Sequence, residues 1–255
     1  MRRRGRKPTL YDYGLPPLCV SCGEPILPSS LKQMGQGALC GSCLLRWNRE
    51  KICGGDFRAI ENGCENDCAL PNLWLSVYRK DQESVTRSLI LRAKEDPSFW
   101  LDAFLADELA ASLRKYLRLR GGNWGLTYVP RSPEAIRRYG FDQMREIAKI
   151  LAKNLEIPCR VLLRHHSHGG QQKMLSAIQR QKNAQNIYDL ARFSRPEPGS
   201  RLLLIDDVVT TGESMRRCRD LLYAAGASEV FCASIGKTQK SSAMDENPYA
   251  LKGGA

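Results

Sequence analysis

The run Arg201-Leu-Leu-Leu-Ile205 constrains this chain more than any other segment. Its consecutive apolar residues show no alternation between a wet and a dry face. The segment therefore reads as a strand buried on both sides, as the strands of parallel sheets are. Asp206-Asp-Val-Val-Thr-Thr-Gly212 follows it. A stretch with helical spacing then runs from Gly212 to about Ala225, with Gly226 as its stop, and Val230 to Ile235 reads as the next strand. Strand, helix and strand in this order make a βαβ unit of ~35 residues, the building block of a parallel α/β sheet flanked by helices.

Ligands of such sheets sit beyond the carboxyl ends of the strands. Amides at the start of a helix have no internal partner and lie at the positive end of its dipole, which suits a phosphate. Thr210 and Thr211 add hydroxyl donors, and Gly212 lets the backbone approach closely. Asp206 and Asp207, adjacent carboxylates, need polar partners to offset their repulsion, and the hydroxyls of a ribose are such partners. The plainer alternative is a turn with a threonine helix cap and two surface acids. The joint occurrence of paired acids, paired threonines and glycine behind a buried strand weighs against it. The segment is neither a Walker loop, which needs a lysine before Ser/Thr, nor a Gly-x-Gly-x-x-Gly dinucleotide turn.

Upstream, Leu73 to Tyr78 reads as a strand, and Ser84 to Lys94 as a helix with Val85, Leu89 and Ile90 on one face. Pro97 to Leu119 continues helically, burying Leu101, Phe104, Leu105, Leu109 and Leu113. Gly125 to Pro130 is a short strand, and Phe141 to Leu155 a helix with Met144, Ile147, Ala148 and Leu151 as its stripe. Between Glu156 and Asp189 there is no acid, while Arg160, Arg164, Lys173, Arg180 and Lys182 lie there with all three histidines. That charge pattern suits a lid over a polyanion or, more plainly, a solvated loop. Residues 165–171 read as an exposed loop and Lys173 to Ala184 as a short helix or a segment that orders on binding. His165, His166 and His168 are placed to shield a leaving group or simply to face water.

Seven of the ten cysteines fall between Cys19 and Cys68. Cys19-x2-Cys22 and Cys40-x2-Cys43 have the two-knuckle spacing of a structural Zn²⁺ site with four thiolates. Cys53, Cys64 and Cys68 offer three more ligands, with Asp56 as an oxygen ligand for a second Zn²⁺ or, alternatively, as remnants or interleaved ligands. The divisions expected are a basic flexible tail over 1–14, a cysteine-rich module over 15–70, an α/β domain over 71–240 and a flexible tail over 241–255. The module is too poor in apolar residues to fold alone, so metal would hold it, and its loss would spare the α/β domain.

A net charge of +12 points to polyanionic partners, phosphorylated metabolites or nucleic acid. Arg2, Arg3, Arg4, Arg6 and Lys7 would contact phosphates without sequence preference. No apolar run is long enough for membrane insertion and the basic N-terminus lacks the apolar segment of a signal peptide, so a cytoplasmic protein is expected. Oligomeric state is not legible.

Leu203-Leu-Ile-Asp-Asp-Val-Val-Thr-Thr-Gly-Glu-Ser214 resembles the loop that binds 5-phosphoribosyl-1-pyrophosphate (PRPP) in type I phosphoribosyltransferases. Over residues 19–237 the chain resembles the ComF/GntX (competence protein F) branch of that superfamily. The likeness rests on the N-terminal cysteines, Leu91-Arg-Ala-Lys94, Val129-Pro130, Arg137-Arg-Tyr-Gly-Phe-Asp-Gln143, and Gln172-Lys-Met-Leu-Ser176 with Arg180, Asn183 and Ile187-Tyr188. The resemblance implies Asp206 and Asp207 on the ribose hydroxyls. It also implies Val208, Val209, Thr210, Thr211 and Gly212 around the 5′-phosphate, Arg137 or Arg138 near the pyrophosphate, and a lid that includes Arg164, Gln172 and Arg180. The activity implied is transfer of phosphoribose from PRPP with Mg²⁺, releasing pyrophosphate. The alternative is a noncatalytic PRPP- or nucleotide-binding factor of DNA uptake or repair that contacts single-stranded DNA or the uptake machinery. Asp142 stands where the branch has asparagine, and Glu95 where it has an aromatic, so each puts an acid near the anion site.

Overall fold

In chain order the elements are helix α1 (Gly41–Glu50), strands β1 (Lys51–Gly55) and β2 (Leu73–Val77), helices α2 (Val85–Glu95) and α3 (Phe99–Arg120), and strand β3 (Trp124–Tyr128). Helices α4 (Pro133–Tyr139) and α5 (Gln143–Leu155), strands β4 (Leu163–His165), β5 (Tyr188–Leu190) and β6 (Arg201–Val209), helix α6 (Glu213–Ala224) and strand β7 (Glu229–Lys237) follow. The computed structural model describes residues 17–26, 38–55, 70–80, 83–166, 187–192 and 194–238. Both expected tails, Asp56, Cys64, Cys68, Gln172, Arg180 and the side chain of Cys53 lie outside the described residues.

The main sheet has the order β1-β2-β7-β6-β3. β2, β7, β6 and β3 are parallel, and β1 closes one edge antiparallel to β2. The apolar run from Leu202 to Ile205 lies near the middle, with both faces covered as its lack of alternation requires. Leu203 and Ile205 pack with Phe231, Ala233 and Ile235 of β7 against α2, α3 and α5, whereas Leu202, Leu204 and Cys232 meet α6 and the β4–β5 ribbon. The result is a parallel sheet flanked by helices.

Local signals account for the helix starts. Ser84 caps α2 through Arg87 N–H, Ser98 caps α3 through Leu101 N–H, and Asp142 caps α5 through the amides of Met144 and Arg145. Ser132, followed by Pro133 at the first helical position, starts α4, a helix the apolar pattern did not reveal because none of its residues is buried. The short β4–β5 ribbon was likewise unread, since three-residue strands carry no usable period.

Two expectations change. β6 does not end at Ile205 but runs to Val209, paired with β7 at Asp206, Val208 and Val209, so the two acids stand on a strand rather than in a loop. The cysteine-bearing segment also has a share in the main core. Cys19, Ile26, Cys43 and Trp47 belong to the same buried cluster as α3. Trp47 is fully buried and meets Phe104 edge-on at 5.7 Å, and its indole N–H donates to Glu108 Oε2 at 3.0 Å. Lys51 Nζ reaches the same oxygen at 2.8 Å.

Candidate functional site

The carboxyl ends of β3 and β6, the start of α5 and the β4–β5 ribbon enclose a cavity of about 250 Å³. Its lining includes Arg131, Asp142, Gln143, His165, Tyr188, Asp206, Asp207 and Ser214. The strand end thus delivers the two adjacent carboxylates to a cleft where parallel sheets hold ligands.

The two acids have different surroundings. Asp207 is a hub: its Oδ2 accepts from Lys94 Nζ at 3.0 Å and from Gln143 Nε2 at 2.6 Å, and its Oδ1 accepts from the amide of Val208. Asp206 accepts from the Asp207 amide at 2.8 Å. Burial, and then the neighbouring Asp207 charge, push its carboxyl well above the usual range. Asp206 is half-buried, and a carboxyl so destabilised as an anion gains from a cation or a hydroxyl donor placed beside it. Gln143 points the same way, for it is 2% exposed and its Oε1 has no partner among the described residues. An orphaned buried acceptor on a cavity wall calls for a donor from the ligand side.

Lys94 comes from the last turn of α2, and Arg131 holds that turn through its guanidinium on Lys94 O at 2.9 Å. Arg131 also lies over the ring of Tyr139 at 4.4 Å. Asp142, the acid that departs from the branch, accepts from the amides of Met144, Arg145 and Arg131. Its carboxyl is raised by burial against those bonds. The acid therefore has a helix-capping task and is not simply an anion facing the ligand.

Beyond Val209 the chain turns through Thr210 and Thr211 to Gly212, which starts α6 at φ +78°. That left-handed conformation is one most side chains avoid, so glycine is required there. Gly212 has no side chain to cap α6, and the Glu213 amide donates to Thr211 Oγ1 at 3.4 Å. Thr210 and Thr211 are exposed at this helix start. On the opposite wall, His165 meets the ring of Tyr188 edge-on at 5.0 Å.

The structure brings together Asp206, Asp207 and the helix start, but not every residue singled out from the sequence. Arg137 is 67% exposed and pairs with Glu134 at 3.7 Å, Arg138 lies against Tyr139, and neither lines the cavity. Arg164 pairs with Asp189 at 2.8 Å within the ribbon. Gln143 and Lys94, not selected from the sequence as site residues, hold Asp207, and Arg131 lines the cavity and holds the Lys94 backbone. Lys94 and Gln143 stood within recognised motifs, so position in a motif was the available signal; nothing marked Arg131.

At the other end of the chain the Sγ atoms of Cys19, Cys22, Cys40 and Cys43 all lie within 4.8 Å of one another. Cys22 Sγ and Cys40 Sγ are 3.6 Å apart, close to the roughly 3.8 Å edge of a tetrahedron with Zn–S bonds of about 2.3 Å. Burial raises the Cys40 thiol, but the Ser42 hydroxyl and the Cys43 amide outweigh it and bring it down to about 6. Burial pushes Cys43 up to about 12. Four sulfurs this close would need a cation between them to become thiolates together, and the donor set is compatible with structural Zn²⁺.

Residues 145–252 match the family described as phosphoribosyl transferase domain. The matched stretch holds β6, α6 and β7, and with them the strand end that carries Asp206 and Asp207. More particularly, the chain is similar to Competence protein F of Haemophilus influenzae, with 31% identity over 153 residues, covering 56% of this chain and 63% of that protein. These matches bear out the likeness to the competence protein F branch read from the motifs. Among solved structures, similarity is found to the allosteric regulatory enzyme of purine biosynthesis (TM-score 0.35, 22% identity, 61% of this chain and 28% of that one). It extends to the hypoxanthine phosphoribosyltransferase of Staphylococcus aureus (TM-score 0.32, 13% identity, 55% and 73%).

Proposed function

We propose that the cavity above Asp206 and Asp207 binds PRPP with Mg²⁺, and that the protein transfers its phosphoribose to an acceptor with release of pyrophosphate. One observation carries the reading. A buried glutamine with an orphaned oxygen, a half-buried acid and a lysine held by its partner acid converge on one strand end beside the glycine-started helix. The 5′-phosphate belongs at Thr210, Thr211, Gly212 and the amides that open α6. Asp206 is the free acceptor for a ribose hydroxyl or for Mg²⁺. Asp207 acts through Lys94 and Gln143, which it orients toward the pyrophosphate side, a task assigned to Arg137 or Arg138 on sequence grounds. Mg²⁺, when bound with PRPP, would spread the charge that builds on the leaving pyrophosphate. The chain's own part is to neutralise that charge with Lys94 and to hold the sugar in place.

Calorimetric titration with PRPP and Mg²⁺, beside ribose 5-phosphate and pyrophosphate, tests binding. Release of pyrophosphate on addition of nucleobases tests turnover. PRPP binding without release for any acceptor favours the noncatalytic reading, a PRPP-binding accessory factor that meets single-stranded DNA. An exposed basic strip of Arg114, Lys115 and Arg118 on α3, and the name of the Haemophilus relative, support that reading. No binding of PRPP at all overturns both.

A further inference from the structure

We infer that Glu50, the last residue of the helix that starts on the cysteine knuckle, is a positioning residue for Lys94 and so sets the strength of the pyrophosphate side of the site. The inference rests on the PRPP reading above.

The carboxylate of Glu50 is spent on another helix. Its Oε1 accepts from the Val85 amide at 3.1 Å, and its Oε2 accepts from the Thr86 amide at 3.0 Å and from Thr86 Oγ1 at 3.1 Å. These amides belong to the first two residues of α2, where donors lack internal partners and the dipole favours a negative charge. α2 already has its own cap in Ser84, which takes the Arg87 amide at 3.1 Å. Glu50 is therefore not needed to start the helix; it fixes where α2 sits. The backbone joins the same clamp: Ser76 Oγ donates to Glu50 O at 3.1 Å and lies 2.6 Å from Thr86 Oγ1.

The far end of α2 is the site. Its 11 residues span roughly 16 Å at 1.5 Å per residue, and its last turn presents Lys94 to Asp207. Val85, Leu89, Ile90 and Ala93 are all buried. At Gly236 of β7 the Ile90 Cδ1 methyl stands 3.1 Å from where a Cβ would be, so the helix is seated closely on the sheet. A close-packed rod clamped at one end by a carboxylate transmits a shift of that end to the other, because packed contacts do not deform continuously. At its start, α1 has Cys40 as the cap and Cys43 in the first turn. The cysteine knuckle, Glu50, α2 and Lys94 thus form one physical chain to Asp207.

The test uses the full-length protein and three probes with Mg²⁺: PRPP, pyrophosphate and ribose 5-phosphate. Glu50→Ala is expected to weaken PRPP and pyrophosphate by roughly tenfold, within the usual range of coupling between sites, and to leave ribose 5-phosphate unchanged because that ligand does not reach Lys94. Glu50→Gln, which keeps the shape and one acceptor, is expected to fall between. In a Lys94→Ala background, Glu50→Ala should have no further effect on pyrophosphate. Equal losses for all three probes, or additive effects of the two substitutions, would overturn the inference, as would unchanged pyrophosphate binding. A second measurement needs no ligand: Glu50→Ala should speed hydrogen exchange at the Val208 amide, which bonds to Asp207. If the wild type binds none of the probes, the PRPP reading falls, and exchange alone decides whether Glu50 acts on Asp207.

Discussion

At the residue scale, one pair of neighbouring acids separates into two roles because of what each touches. Asp207 already holds Lys94, Gln143 and a backbone amide, whereas among the described residues Asp206 holds only the amide of Asp207. Asp207→Asn is expected to lower PRPP affinity by about ten- to a hundredfold, since a charge-assisted bond contributes ~1.5–3 kcal/mol. Inorganic phosphate, for which the proposed place is the α6 start, should bind as before; calorimetry with both ligands checks this. A different acid governs the pH dependence of stability. Asp102 is 6% exposed in the first turn of α3, and burial, then the charge of Glu146, raise its carboxyl from 3.8 to about 7. A carboxyl raised in the folded state keeps its proton there longer than in the unfolded chain, so unfolding releases protons as pH rises and stability falls between about pH 4 and pH 7. Asp102→Asn should therefore match the wild type at pH 4 and exceed it at pH 8, by at most ~4 kcal/mol. Thermal melts across that pH range give the answer, and a wild type whose stability rises from pH 4 to pH 7 because of Asp102 would contradict it.

At the element scale, α1 joins the cysteine knuckle to the α/β core. Its Trp47 is fully buried against Phe104 and bonded to Glu108. The purified protein is expected to carry at least one Zn²⁺ per chain, measured by elemental analysis. Chelation, or Cys40→Ser, should lower the melting temperature of the whole chain in one transition, because Cys43 and Trp47 share a buried cluster with α3. A separate early transition confined to the cysteine segment would instead mean that the knuckle folds by itself. Trp47→Ala should cost ~3–5 kcal/mol for the same reason, through the cavity it leaves.

At the scale of the whole molecule, the sheet divides the protein into one face packed by α1, α2, α3 and α5 and another packed by α6 and the β4–β5 ribbon. The cavity opens where both layers meet the strand ends. Among the described residues no helix is long and apolar enough to cross a membrane. A ligand seated at that junction binds only the folded chain, so PRPP with Mg²⁺ at a hundred times its dissociation constant should stabilise the fold by about 2.7 kcal/mol. Ribose 5-phosphate at the same concentration should raise the melting temperature less. A shift no larger with PRPP than with an equal concentration of sodium chloride would exclude the cavity as its site.

What the sequence determined by itself were the features written in local chemistry. The unbroken apolar run of β6, the helical stripes of α2, α3 and α5, the paired cysteine spacing and the Asp-Asp…Thr-Thr-Gly segment needed no partner to be read. The tertiary structure decided what depends on elements distant in the chain. The sequence cannot show that β6 extends through the acids, because pairing with β7 supplies the hydrogen bonds that keep Asp206 to Val209 extended. Nor can it show that Arg131 lines the cavity and Arg137 does not. Arg131 stands between β3 and α4, where the chain leaves the strand end, whereas Arg137 and Arg138 ride on the exposed α4. Glu50 is the extreme case. It is an ordinary acid at the end of a helix until folding places the first amides of α2, 35 and 36 positions onward, within 3.1 Å of its oxygens.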